Sequence, residues 1–365
     1  MNGAFRVQSK IKKHLLFWER KNNQPLIGFH IGNVYPVLDF NAAKPLLATR
    51  SPITPDMIEP LEFVEDYERL YQEHRKVSQD TFWAATPFPG FPWMEAILGC
   101  QIYSSANSFW ASAHLSLEEV KKLKLSDSNP WFVKFIDFAR LLVRISKGRF
   151  PVAQPFFRGP TDLLGTLRGQ TQFVYDLYEG TQELRETIDG IAKIYIQVVS
   201  KLNEVIPPFS GGYSIGFYDL WAPGRCIHFQ EDLAALLSPD LYHKFFLPSA
   251  RKISGSYPFS FIHLHPSSIF ILDHLLTIQS LGVIQINRES TPDFKIKEMF
   301  PVFKKVQEAK KRLMISGELT REDIDQILSD IKPYGLYLQI VVPSSNSACK
   351  MHNYFKESWE KHKMH

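Results

Sequence analysis

Cysteine is scarce in this chain of 365 residues, which contains only Cys100, Cys226 and Cys349. Three widely separated cysteines argue against a disulfide framework and are typical of a reducing cytoplasm. The polar, basic stretch from Met1 to Lys13 lacks the apolar centre of a signal peptide. No segment approaches the roughly 18 uninterrupted apolar residues that a membrane-spanning helix needs. We therefore expect a cytoplasmic protein with no membrane partner.

The sequence also lacks a dense basic block. It carries 42 Lys and Arg against 38 Asp and Glu, a formal charge of only +4. Nucleic acid is therefore a poor candidate partner, and a small-molecule substrate is the better expectation. Hydrophobic residues make up 44% and charged residues 22%, a balance typical of globular chains. The length fits one barrel that carries insertions.

From Thr81 onward, short apolar runs alternate with amphipathic helical stretches. This alternation predicts parallel strands joined by crossover helices. About eight such units favour a single (β/α)8 TIM barrel over residues 81–365, although counting alone leaves a doubly wound sheet open. Residues 1–80 are predicted to form an irregular extension wrapping the barrel, with a helix over 10–22, a short strand over 26–31 and many prolines. The predicted barrel strands are Thr81–Ala85, Pro151–Phe157, Pro208–Tyr213, Cys226–Gln230, Ser260–His265, Val283–Asn287, Leu313–Gly317 and Tyr337–Val342.

Two histidines, His263 and His265, stand at the end of one predicted strand. Side chains alternate along a strand, so Ile262 and Leu264 should face the helices while both imidazoles face the barrel mouth. In TIM barrels, active sites lie at this end. Each imidazole could instead be a structural polar group bonded to loop backbone. The pair thus indicates a candidate catalytic or metal-binding position, with the structural interpretation left open.

Other predicted strand ends also supply polar groups to the inner face. An unpaired amide in a core costs about 1–3 kcal/mol, so these groups must be satisfied by each other, by water or by a ligand. Arg158, after another strand, could hold an anionic ligand or pair with Asp162 or Glu95. The aromatic loop around Trp93 could line a pocket or pack on the barrel. The remaining candidates are His228, Gln285, Asn287, Glu318 and Gln339.

Several segments resemble the uroporphyrinogen decarboxylase superfamily. They are Trp221-Ala222-Pro223-Gly224, the segment from Gln230 to Pro239, Phe246-Leu247-Pro248, the His-x-His strand and the segment from Phe91 to Cys100. The resemblance covers most of the chain from about Phe82. It implies a (β/α)8 barrel, a homodimer, and one of two chemistries: decarboxylation of uroporphyrinogen without a cofactor, or zinc-dependent methyl transfer between a corrinoid protein and a thiol.

The decarboxylase pattern is incomplete here. The Arg-Gln-Ala-Gly-Arg segment that grips substrate carboxylates in those enzymes has no counterpart, and the expected Asp near Phe82 is absent, with Asp80 the nearest. The methyltransferases instead carry His-x-Cys at the end of the fifth strand and a second Cys after the eighth. His263 matches the first position, His265 replaces the Cys, and Cys349 falls several residues late. The resemblance therefore implies a zinc site formed by His263 and His265 with Glu318 or Cys349.

Three functions are compatible with the sequence. The first is a methyltransferase that works with a corrinoid protein or a methylated small molecule, with or without zinc. The second is a cofactor-free decarboxylase of a porphyrinogen or another polycarboxylate, with Arg158, Arg225 and Arg288 binding carboxylates and a histidine acting as general acid. The third is a non-catalytic barrel that binds a tetrapyrrole or corrinoid. The candidate catalytic residues are His263, His265, His228 and Glu318, and the candidate substrate-binding residues are Arg158, Trp93, Glu95, Trp221, Gln285, Asn287 and Gln339.

Overall fold

The computed structural model describes residues 3–291 and 293–363. The strands in these residues are β1 Leu26–Ile31, β2 Gln101–Ser104, β3 Phe109–Ser112, β4 Tyr213–Ile215, β5 Leu220–Ala222, β6 Cys226–Gln230, β7 Phe259–Leu264, β8 Val283–Arg288, β9 Arg312–Gly317 and β10 Leu336–Val342. Six of them form one parallel sheet in the spatial order β1-β10-β9-β8-β7-β6. Two antiparallel hairpins, β2–β3 and β4–β5, lie outside this sheet.

Both faces of the parallel sheet are apolar, as expected for strands covered on each side. One set of side chains, including Ile262 and Leu264 of β7, joins the large core beneath the surrounding helices. The other set, including Phe261 of β7 and Met314 of β9, forms a separate inner core. The alternation predicted for β7 is therefore present, and it places His263 on the inner side of the sheet.

Two extended segments link the edge strands β1 and β6. Asp80 donates its backbone N–H to Ile27 of β1 at 2.8 Å. Ala85 forms an isolated parallel bridge with Val152, and Arg158 forms another with Gln230 of β6. The arrangement is consistent with a TIM-like barrel, in which these two segments occupy the positions between β1 and β6.

The predicted strand Pro208–Tyr213 is wrong. Pro208 has no N–H to donate to a ladder, and Ser210 and Gly211 both adopt positive φ angles, of 50° and 83°. The chain turns there and forms the β4–β5 hairpin, whose apolar residues fill the inner core. The strand over Leu26–Ile31 takes its place in the sheet, paired along its whole length with β10. The predicted boundary at residue 80 thus does not separate the sheet from the N-terminal segment.

Helices connect the strands of the sheet. A π-helical turn over Tyr242–Phe246 precedes the α-helix Leu247–Gly255, whose second residue, Pro248, cannot donate an N–H. No helix in the two described stretches is long and apolar enough to cross a membrane. The α-helices are α1 Gly3–Trp18, α2 Lys44–Ala48, α3 Val64–Arg75, α4 Trp93–Ile97, α5 Leu117–Lys121, α6 Pro130–Ser146, α7 Pro160–Arg168, α8 Gln170–Glu179, α9 Gln182–Val205, α10 Pro239–Leu241, α11 Leu247–Gly255, α12 Leu272–Leu276, α13 Phe300–Glu308, α14 Arg321–Asp330 and α15 Ser345–Lys363.

Gly28 of β1 is tightly enclosed, which gives a test of the packing around this strand. A Cβ at Gly28 would overlap Tyr337 Oη and approach Thr81 Oγ1 to 2.7 Å. We expect Gly28→Ala to lower the free energy of unfolding by about 1–3 kcal/mol through overpacking. A Cβ at Gly190 of α9 meets nothing within 4 Å, so Gly190→Ala should stabilise by up to about 1 kcal/mol. Urea denaturation measures both, and an unchanged stability of Gly28→Ala would contradict this packing.

Candidate functional site

A cleft of about 560 Å³ opens at the carboxyl ends of the sheet strands. Gln230 of β6, His263 of β7, Asn287 of β8 and Ser316 of β9 all reach it. Loop residues on the opposite side, among them Tyr35 and Phe91, complete its wall. This is the end of a TIM-like barrel at which binding sites are found, and the volume suits a small-molecule ligand.

Asp232, His263 and His265 converge in this cleft. One ligand atom from each residue lies within 4.8 Å of the others. The three come from the ends of the adjacent strands β6 and β7, which pair Gln230 with His263. The ring centroids of the two histidines are 4.6 Å apart and their planes are nearly perpendicular, at 88°. Two imidazoles and a carboxylate form a ligand set that suits Zn²⁺, which would take water or substrate as a further ligand.

Both histidines are oriented through Nδ1. His265 Nδ1 lies 2.6 Å from Glu289 Oε1, and because a carboxylate can only accept, Nδ1 must donate. His263 Nδ1 contacts Gln285 Oε1 across the β7–β8 ladder in the same way. The lone pair of each ring is therefore on Nε2. Hydrogen bonds of this kind fix the tautomer of metal-binding histidines in proteins.

Burial keeps the first histidine of the pair in its ligating form. It lowers the pKa of His263, and the nearby His265 ring lowers it further, while the Asp232 carboxylate acts in the opposite direction. Metal ions bind the neutral imidazole. The environment of His263 therefore favours the protonation state that a metal site needs.

Asp232 is held by its neighbours from both sides. Its Oδ2 accepts a 2.7 Å hydrogen bond from Gln230 Nε2, and its backbone N–H donates to Asp162 Oδ2 at 2.9 Å. Its buried Oδ1 accepts no hydrogen bond from the described residues. Burial raises the pKa of Glu231 to about 8 and, together with Asp232 and Glu231, raises that of Asp162. The two adjacent acids are thus disposed to be neutral, which limits their repulsion of the Asp232 carboxylate.

The two arginines of the cleft are already paired with carboxylates. Arg158 Nη1 lies 3.1 Å from Glu95 Oε1, which resolves the choice between Glu95 and Asp162. Arg288 Nε lies 3.3 Å from Asp323 Oδ2 and donates from Nη1 to the Glu289 carbonyl at 2.7 Å. Neither guanidinium is therefore a free anion site.

The tip of the β4–β5 hairpin forms the floor of the cleft. Gln339 Nε2 donates to the Phe217 carbonyl and Tyr337 Oη to the Tyr218 carbonyl, both at 2.8 Å. The rings of Phe217 and Tyr218 line the cleft together with Phe156. The floor is therefore aromatic and is bonded directly to β10.

The structure brings together only part of the predicted site. Arg158, Glu95, Asn287 and Glu318 line the cleft with the two histidines. Glu318 accepts from Ser290 Oγ at 2.6 Å and is not one of the three converging ligands. Buried Gln285 and Gln339 act beneath the cleft, on His263 and on the hairpin respectively.

The other predicted site residues lie elsewhere. His228 is buried below the floor, and burial lowers its pKa to about 3. Trp93 is fully buried and donates to Pro87 O at 2.9 Å, so the packing interpretation of its loop holds for this side chain. Trp221 donates to Phe209 O at 2.9 Å, away from the cleft. Cys349 is on α15, with its Sγ 3.8 Å from Lys76 O, and does not join the three ligands.

Sequence reasoning missed two residues that matter here, Asp232 and Glu289. Asp232 follows β6 by two positions, within the segment that carries the family resemblance, and Glu289 directly follows β8. Acidic residues just after parallel strands were the available signal. The alternation of side chains applies only inside a strand and does not extend to these loop positions.

Comparison with solved structures finds a likeness that extends over nearly the whole chain. A methyltransferase from Methanosarcina mazei matches with a TM-score of 0.63 and 13% sequence identity, covering 95% of this chain and 98% of that one. A β-mannanase from a symbiotic protist of the termite Reticulitermes speratus, complexed with gluco-manno-oligosaccharide, reaches a TM-score of only 0.38 at 11% identity, covering 85% of this chain and 92% of that one. No protein-family model and no curated protein matches the sequence. At this identity, the first likeness shows the fold alone.

Proposed function

We propose that this protein is a metal-dependent methyltransferase. The observation that carries the proposal is the Asp232–His263–His265 cluster, with both histidines fixed through Nδ1, at the mouth of a TIM-like barrel. The whole-chain likeness to a methyltransferase supports it. We further propose that the barrel is an eight-membered ring, completed by the segments around Ala85 and Val152.

The residues present fit Zn²⁺, which Asp232 and Nε2 of both histidines would hold. The buried, unpartnered Oδ1 of Asp232 supports this assignment, because a buried carboxylate oxygen without a donor is costly unless a cation compensates it. Bound zinc lowers the pKa of a thiol and so supplies a thiolate nucleophile at neutral pH. Gln285 and Glu289 orient the two rings, and the cleft positions the methyl donor and the acceptor.

We propose a methylated small molecule or a corrinoid carried by a partner protein as methyl donor. Val34 and Tyr35, at the cleft, expose 52% and 55% of their surface, which leaves this side of the cleft accessible. Decarboxylation of a polycarboxylate is less well supported, because Arg158 and Arg288 already hold the carboxylates of Glu95 and Asp323.

Elemental analysis and turnover together test this function. We expect about one zinc ion per chain after zinc loading and dialysis, and transfer of methyl from methylcobalamin or from a methylated small molecule to a small thiol. Absence of bound zinc together with absence of methyl transfer would refute the proposal. Loss of carboxylates from uroporphyrinogen would instead establish the decarboxylase. Tight binding of a corrinoid without turnover would establish a binding barrel.

A further inference from the structure

Carboxylates outnumber cations in the cleft. Arg158 is balanced by Glu95, and Arg288 by Asp323. Glu289 and Glu318 remain, and within residues 3–291 and 293–363 their side chains bond to the neutral groups of Asn287 and Ser290 and to the ring of His265. A divalent cation bound by Asp232 would give this pair a net charge of +1, which the two negative charges of Glu289 and Glu318 still exceed. With or without metal, the cleft favours a cationic ligand over an anionic one.

The aromatic floor of the cleft also favours a cationic ligand. The centroids of Phe156 and Phe217 are 4.6 Å apart, and each lies 5.5 Å from that of Tyr218, with interplanar angles of 87° and 88° to it. Phe156 and Phe217 are partly exposed in the cleft. These two partly exposed rings, tilted by 42° to each other beside the buried Tyr218 ring, form a corner that attracts the diffuse positive charge of a methylated cation.

We propose that the methyl donor bound in this cleft is a small methylated onium ion, either a quaternary ammonium or a sulfonium, with its methyl groups on the Phe156–Phe217–Tyr218 corner and its charge near Glu289 and Glu318. This inference rests on the proposed methyltransferase function and specifies its substrate class. An onium ion cannot donate hydrogen bonds from its methyl groups, so aromatic faces and carboxylates at moderate distance are the groups that recognise it.

The transfer balances with a thiol as acceptor. A sulfur lone pair of the thiolate forms the new S–CH₃ bond while the C–N or C–S bond of the onium ion breaks. The electron pair of the broken bond stays on the leaving nitrogen or sulfur, and the thiol proton passes to solvent. The products are a thioether and a neutral amine or sulfide. The sulfide stays neutral and loses the attraction to the rings and carboxylates, which favours its release, whereas the amine takes up a proton at neutral pH and keeps its charge.

Isothermal titration calorimetry at constant ionic strength tests the substrate class without turnover. The probes are choline, trimethylsulfonium and 3,3-dimethylbutan-1-ol, the uncharged isostere of choline. We expect the protein to bind one or both onium ions at least about tenfold more tightly than the alcohol, a difference that shape cannot produce. The onium ion that binds more tightly identifies the source of the methyl group. Equal affinity for choline and the alcohol, or no onium binding at millimolar concentrations, would overturn the proposal.

Point variants test whether the onium ion binds at this corner. Phe217→Leu should weaken onium binding at least about fivefold and leave the alcohol unaffected, whereas Phe217→Tyr, which keeps the ring, should retain it. Glu318→Gln should weaken onium binding about threefold. Trp110→Leu is the matched control, because Trp110 is an exposed aromatic residue on β3, outside the cleft. Unchanged onium binding by both Phe217→Leu and Glu318→Gln would overturn the placement.

The two proposals fail in different ways. A protein that binds zinc and methylates a thiol from methylcobalamin, yet ignores onium ions, would refute only the substrate class. A protein that binds onium ions but no metal would refute the metal-dependent function and keep the onium site.

Discussion

The Asp232→Ala variant is expected to bind Zn²⁺ at least about a hundredfold more weakly than the unaltered protein and to lose methyl transfer. Removing a carboxylate ligand leaves two imidazoles, whereas catalytic zinc sites have three protein ligands. His263→Ala and His265→Ala should have the same effect. Gln285 only orients His263, and loss of such a residue typically costs about 10–100-fold in metal affinity. Gln285→Leu should therefore lower the zinc affinity less than loss of a ligand does. Competition with a chelator of known zinc affinity measures all four variants.

Glu318→Ala and Cys349→Ser are the controls for this experiment, since both residues are ligand candidates from the sequence. The structure bonds Glu318 to Ser290 and places Cys349 beside Lys76. Both variants should therefore keep the zinc affinity of the unaltered protein. If Glu318→Ala released the metal while Asp232→Ala retained it, the ligand set derived from the structure would be refuted.

The sequence predicts the inner-facing histidines well because β-strand parity is a local property. A strand with apolar residues on one side presents its alternate residues to the other, whatever surrounds it. His263 and His265 both reach the cleft for this reason. The partner that completes the cluster depends instead on how neighbouring strands are registered. Gln230 lies opposite His263, so the loop after β6 brings Asp232 to the histidines.

The wrong strand at Pro208–Tyr213 has a similar physical origin. A short apolar run is compatible with a barrel strand or with a plug that fills the barrel interior, and periodicity does not separate the two. The prolines and glycines of this segment favoured the turn, and the hairpin that follows buries Ile215 and Leu220 in the inner core. The sequence predicts β1 as a strand, but its pairing with β10 is a contact between distant parts of the chain, which no local pattern reveals.

Acid conditions should destabilise the fold through His74, and replacing this residue should remove that sensitivity. His74 of α3 is buried, and burial lowers its pKa to about 3. Its Nδ1 donates to the Leu70 carbonyl at 2.8 Å, and its Nε2 accepts the Ile31 backbone N–H at 3.3 Å. A proton on Nε2 would eliminate that acceptor, which anchors the end of β1. The folded state therefore requires the neutral ring.

The direction of the pH dependence follows from this lowered pKa. Between the unfolded value near 6.5 and the folded value of about 3, the unfolded chain binds the extra proton. The contribution of His74 is thus fully present above pH 6.5 and is lost as pH falls, at about 1.4 kcal/mol per pH unit. His14 and His228, with pKa values lowered by burial to about 4 and about 3, act in the same direction. Glu231, with its raised pKa, acts in the opposite direction, because its contribution is lost as pH rises toward 8.

Comparing one substitution with the unaltered protein isolates the contribution of His74, since the other groups are common to both. In urea denaturation between pH 6.5 and 4.5, the unaltered protein should lose about 2–3 kcal/mol more stability than His74→Phe. Only the change of the unfolding free energy with pH is compared. The loss of the acceptor for the Ile31 N–H in the variant therefore does not affect the comparison. His243→Phe is the control, because His243 is exposed in the folded state as it is in the unfolded chain. The unfolding free energy of this variant should change with pH as that of the unaltered protein does. Parallel slopes for His74→Phe and the unaltered protein would show that His74 is protonated in the fold, against the hydrogen bond from Ile31.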